Sequence, residues 1–248
     1  MDLIMGMNSG SSFDGIDVIL AETEMAEDGF PKAPRFICGG SYEWPKEVAD
    51  IVQDAFVNKV DMVGLNRLNY LCGAVFAEKA AQFLKENNID SRDVKVLGLD
   101  TQTIYQEQPN HAAIAKMTKE EKDNWVGRWL SGNYPCGTQM GDTSVIANLV
   151  DIDTVTHFRP ADHTSGGAAA PLMPYLDYIL FRDKPGYTMT LNIGGLQTFM
   201  LQMQIDEECL DLIQAQEILF QIICVKYYLA WNMIKTVQLQ HPVKWMTV

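Results

Sequence analysis

The sequence feature that most constrains the fold is a strand–turn–strand pattern over residues 5–20. Apolar residues occupy both arms, and a polar, glycine-rich turn joins them. Glycine permits positive φ and lets a ligand approach the main chain closely. Successive exposed backbone N–H groups in such a turn form a concavity for anions, phosphate above all. The polar and glycine residues of the turn are Ser9, Gly10, Ser11, Ser12, Asp14, Gly15 and Asp17.

Two interpretations of this turn stay open from the segment alone. One is an ordinary β-hairpin whose glycines and serines serve only the turn. The other is a phosphate-binding loop. The turn contains neither the lysine of the common nucleotide-binding loop nor the glycine pattern that precedes a helix in dinucleotide-binding proteins. Any ligand at this position would therefore bind to a hairpin.

The charge of the chain limits its partners. The 248 residues include 32 acidic and 19 basic ones, which give a formal net charge of −13. Such a surface repels nucleic acid and anionic membranes, so we expect neither as a partner. A phosphorylated ligand would need local help from backbone N–H groups or Mg²⁺. A hydrophobic content of 47% allows a sizeable core in one large or two modest domains.

The cysteines and histidines favour an intracellular protein without a zinc site. The five cysteines are scattered and contain no C-x-x-C pair, so we expect reduced, buried thiols and a cytoplasmic location. The N-terminus lacks the basic region of a signal peptide. The four histidines lack the spacing of zinc ligands.

Hydrophobic periodicity predicts an α/β fold. Strands are predicted over residues 2–8, 16–23, 35–38, 94–99 and 154–156. Helices are predicted over residues 45–56, 62–86, 143–150 and 172–181. Asp142 is suited to cap the third of these helices.

Polar residues follow two of the predicted strands. Asp100-Thr-Gln-Thr103 comes directly after one, and a glycine-rich segment containing Arg159 and Asp162 comes after another. Ligands of open α/β sheets bind at the carboxyl ends of strands. A simple polar turn is the alternative at residues 100–103. Arg159 and Asp162 are three residues apart and could pair with each other or with a polar ligand.

Two further segments have distinct patterns. Residues 108–135 have the pattern of an insertion, with a capping box at 118–121 followed by tryptophans at helical spacing. We favour a surface helix that docks its tryptophans over a binding platform. Residues 188–202 again read as strand, glycine turn and strand, with Gly194-Gly195 at the tip. Two such hairpins indicate a duplicated fold.

This order of elements resembles the actin-like (hexokinase-type) phosphotransferase superfamily, and residues 2–203 resemble anhydro-N-acetylmuramic acid kinases and their fungal relatives. Gly10-Ser-Ser-Phe-Asp-Gly-Ile-Asp17 resembles the family's G-T-S-x-D-G-x-D, with Ser11 in place of threonine. Gly98-Leu-Asp-Thr-Gln-Thr103 resembles G-x-H/D-G-Q-T, with Thr101 in place of glycine. Gln139-Met-Gly-Asp142 matches Q-x-G-D, and Leu191-Asn-Ile-Gly-Gly195 matches L-N-I-G-G.

The match around residues 158–172 is less complete. Phe158-Arg159, Asp162, Gly166-Gly167 and Ala170-Pro-Leu172 follow the family's D-F-R-x-x-D…G-G-x-G-A-P-L. His157 replaces its first aspartate, and Ala168-Ala169 replaces the residues before Ala-Pro-Leu. The family's D-T-G-P-G-N segment, which holds the water-activating aspartate, has no counterpart after Gln202. We therefore assign no catalytic base, and neither Asp206 nor Asp211 takes the role.

The resemblance implies an enzyme that uses ATP and water to open an anhydro-sugar ring while phosphorylating the sugar. It implies that Asp14 contacts Mg²⁺, directly or through water. The implied sugar-binding residues are Gln102, Thr103, Arg159 and Asp162. The implied ATP-phosphate ligands are Gly10, Ser11, Ser12, Asp14, Gly15, Asp17, Gly194 and Gly195.

The resemblance also implies a domain organisation. A ribonuclease-H-like lobe with a mixed sheet flanked by helices is predicted at 1–186, with the insertion at 108–135. The first hairpin of a second lobe follows at 187–204, and a divergent helical tail at 205–248. Within that tail, residues 218–234 are nearly all apolar, and we favour a helix with an exposed apolar face over a membrane span.

Two hypotheses about function follow. In the first, the chain is an incomplete copy of an ATP-dependent anhydro-amino-sugar kinase, whose homodimerisation the sequence leaves open. In the second, it is a non-catalytic sugar-binding or interaction module that keeps one lobe of the kinase fold.

Overall fold

The structure is a computed structural model that describes residues 1–10, 13–183, 187–193, 196–205 and 208–218. The chain divides into two compact units, residues 1–170 and 171–248. This division falls ahead of the predicted lobe boundary at residue 186, which stays a prediction. Each unit is described by itself.

The elements follow in chain order. The strands are β1 (Asp2–Asn8), β2 (Ile16–Thr23), β3 (Arg35–Tyr42), β4 (Val94–Asp100), β5 (Gln102–Gln106), β6 (Gly137–Met140), β7 (Thr154–Val155), β8 (Tyr187–Ile193), β9 (Leu196–Ile205) and β10 (Glu208–Ile218). The helices are α1 (Lys46–Phe56), α2 (Met62–Glu86), α3 (His111–Lys116), α4 (Lys119–Asp123), α5 (Trp125–Leu130), α6 (Thr143–Val150), α7 (Phe158–Thr164) and α8 (Met173–Phe181). A short 3-10 helix, Ser91–Asp93, precedes β4.

A five-stranded mixed sheet in the order β3-β2-β1-β4-β7 forms the centre of the first unit. The β1–β2 and β2–β3 pairs are antiparallel, whereas β1–β4 and β4–β7 are parallel. The predicted α/β architecture is thus confirmed as a mixed sheet flanked by helices. In the β1–β4 register Asn8 lies opposite Asp100, so the loops after these two strands leave the same edge of the sheet.

The core of this unit lies between the sheet and the helices α1, α2 and α6. Alternate residues of β1 and β2, and Leu97 and Leu99 of β4, point into it, as the period of two requires. The fully buried large side chains of the core include Ile16, Leu20, Leu68, Phe76, Phe83, Leu97, Leu99 and Ile146. Each such side chain stabilises the fold by about 1.5–3 kcal/mol relative to an exposed one.

Residues 107–136, called here the 107–136 segment, connect β5 to its antiparallel partner β6. Two backbone hydrogen bonds close its base, from Glu107 N to Cys136 O (2.8 Å) and from Asn110 N to Asn133 O (3.0 Å). The segment forms three short helices. The expectation of a helix that docks both tryptophans is wrong, because Trp125 is 76% exposed. Trp129 alone is anchored, donating from Nε1 to Pro135 O at 3.1 Å.

The thiols also depart in part from expectation. Cys72 is buried, and burial raises the pKa of its thiol to about 12. Cys136 is exposed, so the prediction of buried thiols is wrong for this residue. It lies at the base of the 107–136 segment, where its Sγ donates to Glu107 Oε2 at 3.2 Å.

The second unit contains α8 and a three-stranded antiparallel sheet in the order β10-β9-β8. The predicted second hairpin is confirmed as β8 and β9, and its Gly194-Gly195 tip lies outside the described residues. The predicted helical tail is wrong over 208–218, where β10 pairs with β9. Apolar and polar residues alternate from Ile213 to Gln216, which suits a strand that completes the backbone hydrogen bonds of β9.

The interpretations of residues 219–248 lie outside the described residues. Within the described part of the chain, none of the helices has the length and apolar character needed to cross a membrane.

Candidate functional site

The loops after β1 and β4 meet at the shared edge of the sheet, and Ser9 joins them. Its side chain is buried, with 2% exposure. Ser9 Oγ lies 2.7 Å from Gln102 Oε1 and 3.1 Å from Gly15 O, and it accepts a hydrogen bond from Trp44 Nε1 at 3.1 Å. The sequence places this hydroxyl in the polar turn but does not indicate a role for it. Ser9 is buried because β1 pairs with β4, and local sequence does not reveal a pairing between such distant segments.

The turn after β1 begins with a hydrogen-bonded tight turn and presents exposed carboxylates. Phe13 N donates to Gly10 O at 3.0 Å, and Phe13 adopts a positive φ of 54°. The Phe13 ring packs against Trp44, with centroids 5.1 Å apart. The predicted phosphate ligands Asp14 and Asp17 are exposed on this hairpin, whereas Ser11 and Ser12 lie outside the described residues.

The oxygen ligands that this turn offers fit a Mg²⁺ ion that is bound together with a phosphorylated ligand. Mg²⁺ is usually held by one or two carboxylates, with waters and substrate phosphates completing its shell. Asp14 offers one exposed carboxylate. The described ranges contain no cluster of three or more His, Cys, Asp or Glu residues that could hold a metal ion by themselves.

A partly buried ion pair lies at the end of β4. Arg159 Nη2 donates to Asp100 Oδ2 at 2.6 Å, and Nη1 donates to Ala169 O at 2.6 Å. Burial raises the pKa of the Asp100 carboxyl, and the Arg159 charge opposes this shift. The third nitrogen, Arg159 Nε, is buried and has no hydrogen-bond partner among the described residues. An unmade hydrogen bond of this kind is costly, so Arg159 Nε is a donor that a water or a ligand oxygen would satisfy.

Arg159 and Asp162 do not pair with each other. The buried carboxylate of Asp100 needs a counter-charge, and Arg159 supplies it. Asp162 instead accepts a hydrogen bond at Oδ2 from Ala169 N at 2.6 Å. Both side chains therefore hold the loop after α7, Arg159 through the carbonyl of Ala169 and Asp162 through its N–H.

Amide side chains and a histidine complete the cluster. Gln106 Nε2 donates to Ala168 O at 2.6 Å and lies 3.4 Å from His163 Nε2. His163 is buried; burial and, less strongly, the nearby Arg159 lower its pKa, which Asp162 and the Ala168 backbone oppose. The ring is thus neutral at pH 7. Gln139 is 8% exposed, and its Nε2 is a second buried donor with no partner in the described structure.

The predicted sugar-binding residues occupy different positions in this cluster. Gln102 is fully buried, and its amide is engaged by Ser9 at Oε1 and by Thr103 O at 3.0 Å from Nε2. Thr103 lies opposite Gln139 in the β5–β6 register. Gln139 and His163 are members of the cluster that the sequence did not predict, although Gln139 belongs to the Q-x-G-D motif.

Gly167 is predicted to be intolerant of a side chain. A Cβ atom there would collide with the Asp162 carboxylate, whereas a Cβ at Gly98 would have no atom within 4 Å. We expect Gly167→Ala to lower the free energy of unfolding by about 1 kcal/mol, because the Asp162 carboxylate must rotate away and lose the hydrogen bond from Ala169 N. Urea titration checks this, with Gly98→Ala as the matched control of equal size. Equal midpoints for the two variants would contradict the described loop geometry.

Comparisons with known proteins give a consistent result. The model of the family "Anhydro-N-acetylmuramic acid kinase" matches residues 2–126 and 122–208, and the two matched stretches meet within the 107–136 segment. The anhydro-N-acetylmuramic acid kinase of Vibrio vulnificus (strain CMCP6) is 28% identical over 196 residues, which cover 79% of this chain and 45% of that protein. The one from Caldanaerobacter subterraneus subsp. tengcongensis is 32% identical over 196 residues, covering 78% and 45%.

The chain therefore spans about half the length of the relatives it matches. Among solved structures, the Aquifex aeolicus PPX-GPPA enzyme matches over 98% of this chain and 66% of that one, with a TM-score of 0.30 and 10% identity. An overlap this low carries no argument about the fold.

Proposed function

The chain belongs to the anhydro-N-acetylmuramic acid kinase family, and we propose that it serves the ATP-dependent phosphorylation of an anhydro amino sugar, with hydrolytic opening of the 1,6-anhydro ring. One observation carries the proposal. Arg159 Nε and Gln139 Nε2, buried donors without partners among the described residues, belong to the polar cluster that Ser9 links to the turn after β1. A sugar offers acceptor oxygens to both donors.

The charges of the cluster suit an uncharged part of the sugar. Asp100 neutralises Arg159, and His163 is neutral at pH 7. The donors are therefore better matched to hydroxyl, ether or amide oxygens than to a second phosphate. The proposed sugar-binding side chains are those of Arg159, Gln139, Thr103 and Asp162. Gln102 is proposed to act indirectly, through its hydrogen bond with Ser9.

The turn after β1 is proposed to bind the nucleotide phosphates. Phosphoryl transfer depends chiefly on positioning and on neutralising charge. Gly10 and Gly15 supply backbone groups there, and Asp14 holds Mg²⁺ directly or through water. Ser11, Ser12 and Asp17 are proposed to share this role. When bound, ATP with Mg²⁺ supplies the phosphoryl group that the sugar receives.

The kinase proposal predicts a sugar-dependent release of ADP. A coupled assay with and without 1,6-anhydro-N-acetylmuramic acid is expected to show turnover only with the sugar. Asp14→Asn is expected to abolish it, because the neutral amide is a poorer Mg²⁺ ligand. Asp54→Asn is the matched control, since Asp54 lies exposed on α1 and makes only a 3.8 Å ion pair with Lys59. Retained turnover in Asp14→Asn would contradict the assignment.

A second candidate function is sugar binding without catalysis. It is favoured by one observation, namely that both buried donors lie within the first compact unit. Titration calorimetry that detects the anhydro-sugar, together with a coupled assay that detects no ADP, would support this candidate over the kinase.

A further inference from the structure

The 107–136 segment contacts the loop that follows α7, and Arg128 makes the polar part of that contact. Arg128 Nη1 donates to Thr164 O at 2.8 Å, and Nε donates to Lys122 O at 2.6 Å. The guanidinium carbon lies 5.3 Å from the centre of the buried Tyr134 ring. One side chain thus joins α4, the end of the segment and the last turn of α7.

The bond to Thr164 O is suited to a guanidinium. The last carbonyls of a helix lack partners within the helix, and a cation nearby both satisfies them and interacts favourably with the helix dipole. A planar guanidinium can donate in two directions while stacking on an aromatic ring, which an ammonium cannot reproduce.

An apolar contact supports the same loop. Gly166 has a φ of +85°, and the position of its absent Cβ lies 3.7 Å from Ile114 Cδ1 and 3.8 Å from Tyr134 Cε1. The segment therefore covers the backbone where the chain turns after α7. The glycine conformation and the close packing together restrict where residues 165–169 can lie.

That loop supplies the backbone partners of the sugar cluster. Ala168 O accepts from Gln106, Ala169 O accepts from Arg159, and Ala169 N donates to Asp162. We propose that Arg128 is a positioning residue, through which the 107–136 segment fixes this loop and so sets the affinity for the sugar. The effect on sugar affinity rests on the proposed function, whereas the fixing of the loop does not.

The kinetic test uses Arg128→Lys, which keeps the charge but loses the planar fork. We expect the KM for 1,6-anhydro-N-acetylmuramic acid to rise about tenfold, as the loss of a charge-assisted hydrogen bond implies. The kcat and the KM for ATP should stay within about twofold. Arg92→Lys is the control, because the exposed Arg92–Asp90 pair precedes β4 at the opposite end of the strand. A lower melting temperature with an unchanged sugar KM would overturn the positioning role.

A second measurement separates this inference from the proposed function. The amides of Ser165, Gly166, Gly167 and Ala169 are all hydrogen-bonded. In the ligand-free chain, Arg128→Lys should accelerate hydrogen exchange at these amides while leaving β1 and β2 unchanged. Unchanged exchange at 165–169 would overturn the inference. Faster exchange in a chain that releases no ADP would sink the kinase proposal and leave the positioning of the loop intact.

Discussion

Replacing Arg159 by methionine is expected to lower the free energy of unfolding by about 3 kcal/mol at pH 7, because it leaves the partly buried carboxylate of Asp100 without its counter-charge. The Arg159 side chain is 13% exposed and that of Asp100 28% exposed, so water screens the pair only in part. The variant also loses the donor to Ala169 O and the unpaired Nε. We therefore expect calorimetry to detect no binding of the anhydro-sugar.

The loss of stability in Arg159→Met should depend on pH, and its direction can be stated. Burial raises the pKa of Asp100 above its usual value of 3.8, and Arg159 opposes that shift. Without Arg159 the pKa rises further, so the folded variant holds a proton that the unfolded chain has released. Its stability is then retained below pH 3.8 and lost as pH rises through the raised pKa. The difference from wild type should shrink towards pH 4 and grow towards pH 7.

Urea unfolding at several pH values measures both effects. Arg92→Met is the matched control, because it removes an arginine from the exposed pair with Asp90, and exposed pairs contribute little. If Arg159→Met and Arg92→Met unfold alike at pH 7, the pair with Asp100 does not have the buried character described here.

Replacing Phe76 by alanine is expected to lower the free energy of unfolding by about 4 kcal/mol. Phe76 is fully buried in α2 and meets the Trp44 ring edge-on at 5.3 Å. It also packs closely on Gly141, where an added Cβ would come within 2.9 Å of Phe76 Cε2. The alanine variant therefore leaves a cavity between α2 and the residues that support Ser9.

Denaturant titration checks this effect against Phe36→Ala. Phe36 is 64% exposed on β3, so the same deletion should change stability by less than about 0.5 kcal/mol. Phe76→Leu keeps most of the volume and should recover most of the loss. A small effect of Phe76→Ala on stability would show that neighbouring side chains fill the space next to Trp44, which would contradict the cavity.

The parts of the fold with a strong local period were predictable from the sequence. Strands β1 and β2 and helix α2 have the predicted bounds, because each strand is a mostly apolar segment next to a polar, glycine-rich turn and α2 carries apolar residues at helical spacing. Strand β10 was missed because its alternation is short and its stability comes from pairing with β9. The 107–136 segment was misjudged because tryptophans at helical spacing do not reveal which of them find a partner.

The types of residue in the site were predictable from the sequence, but their contacts were less predictable. Polar residues after β1 and β4 indicated the correct edge of the sheet, since parallel strands end together. The partner of Arg159 was not predictable, because Asp100 reaches it only once α7 lies at the end of β4. Gln139 stood out only when its buried amide nitrogen was seen to lack a partner.

The Ser9 hydroxyl has a consequence for communication across the site. A hydroxyl carries one proton, yet Gly15 O and Gln102 Oε1 both lie within reach of it. The two acceptors therefore compete, and whichever group takes the proton releases the other. A ligand that shifts Gln102 away from Ser9 would leave Gly15 O, in the turn after β1, as the acceptor of this hydrogen bond. Thermodynamic linkage then requires that ordering of that turn favour the same ligand to an equal degree.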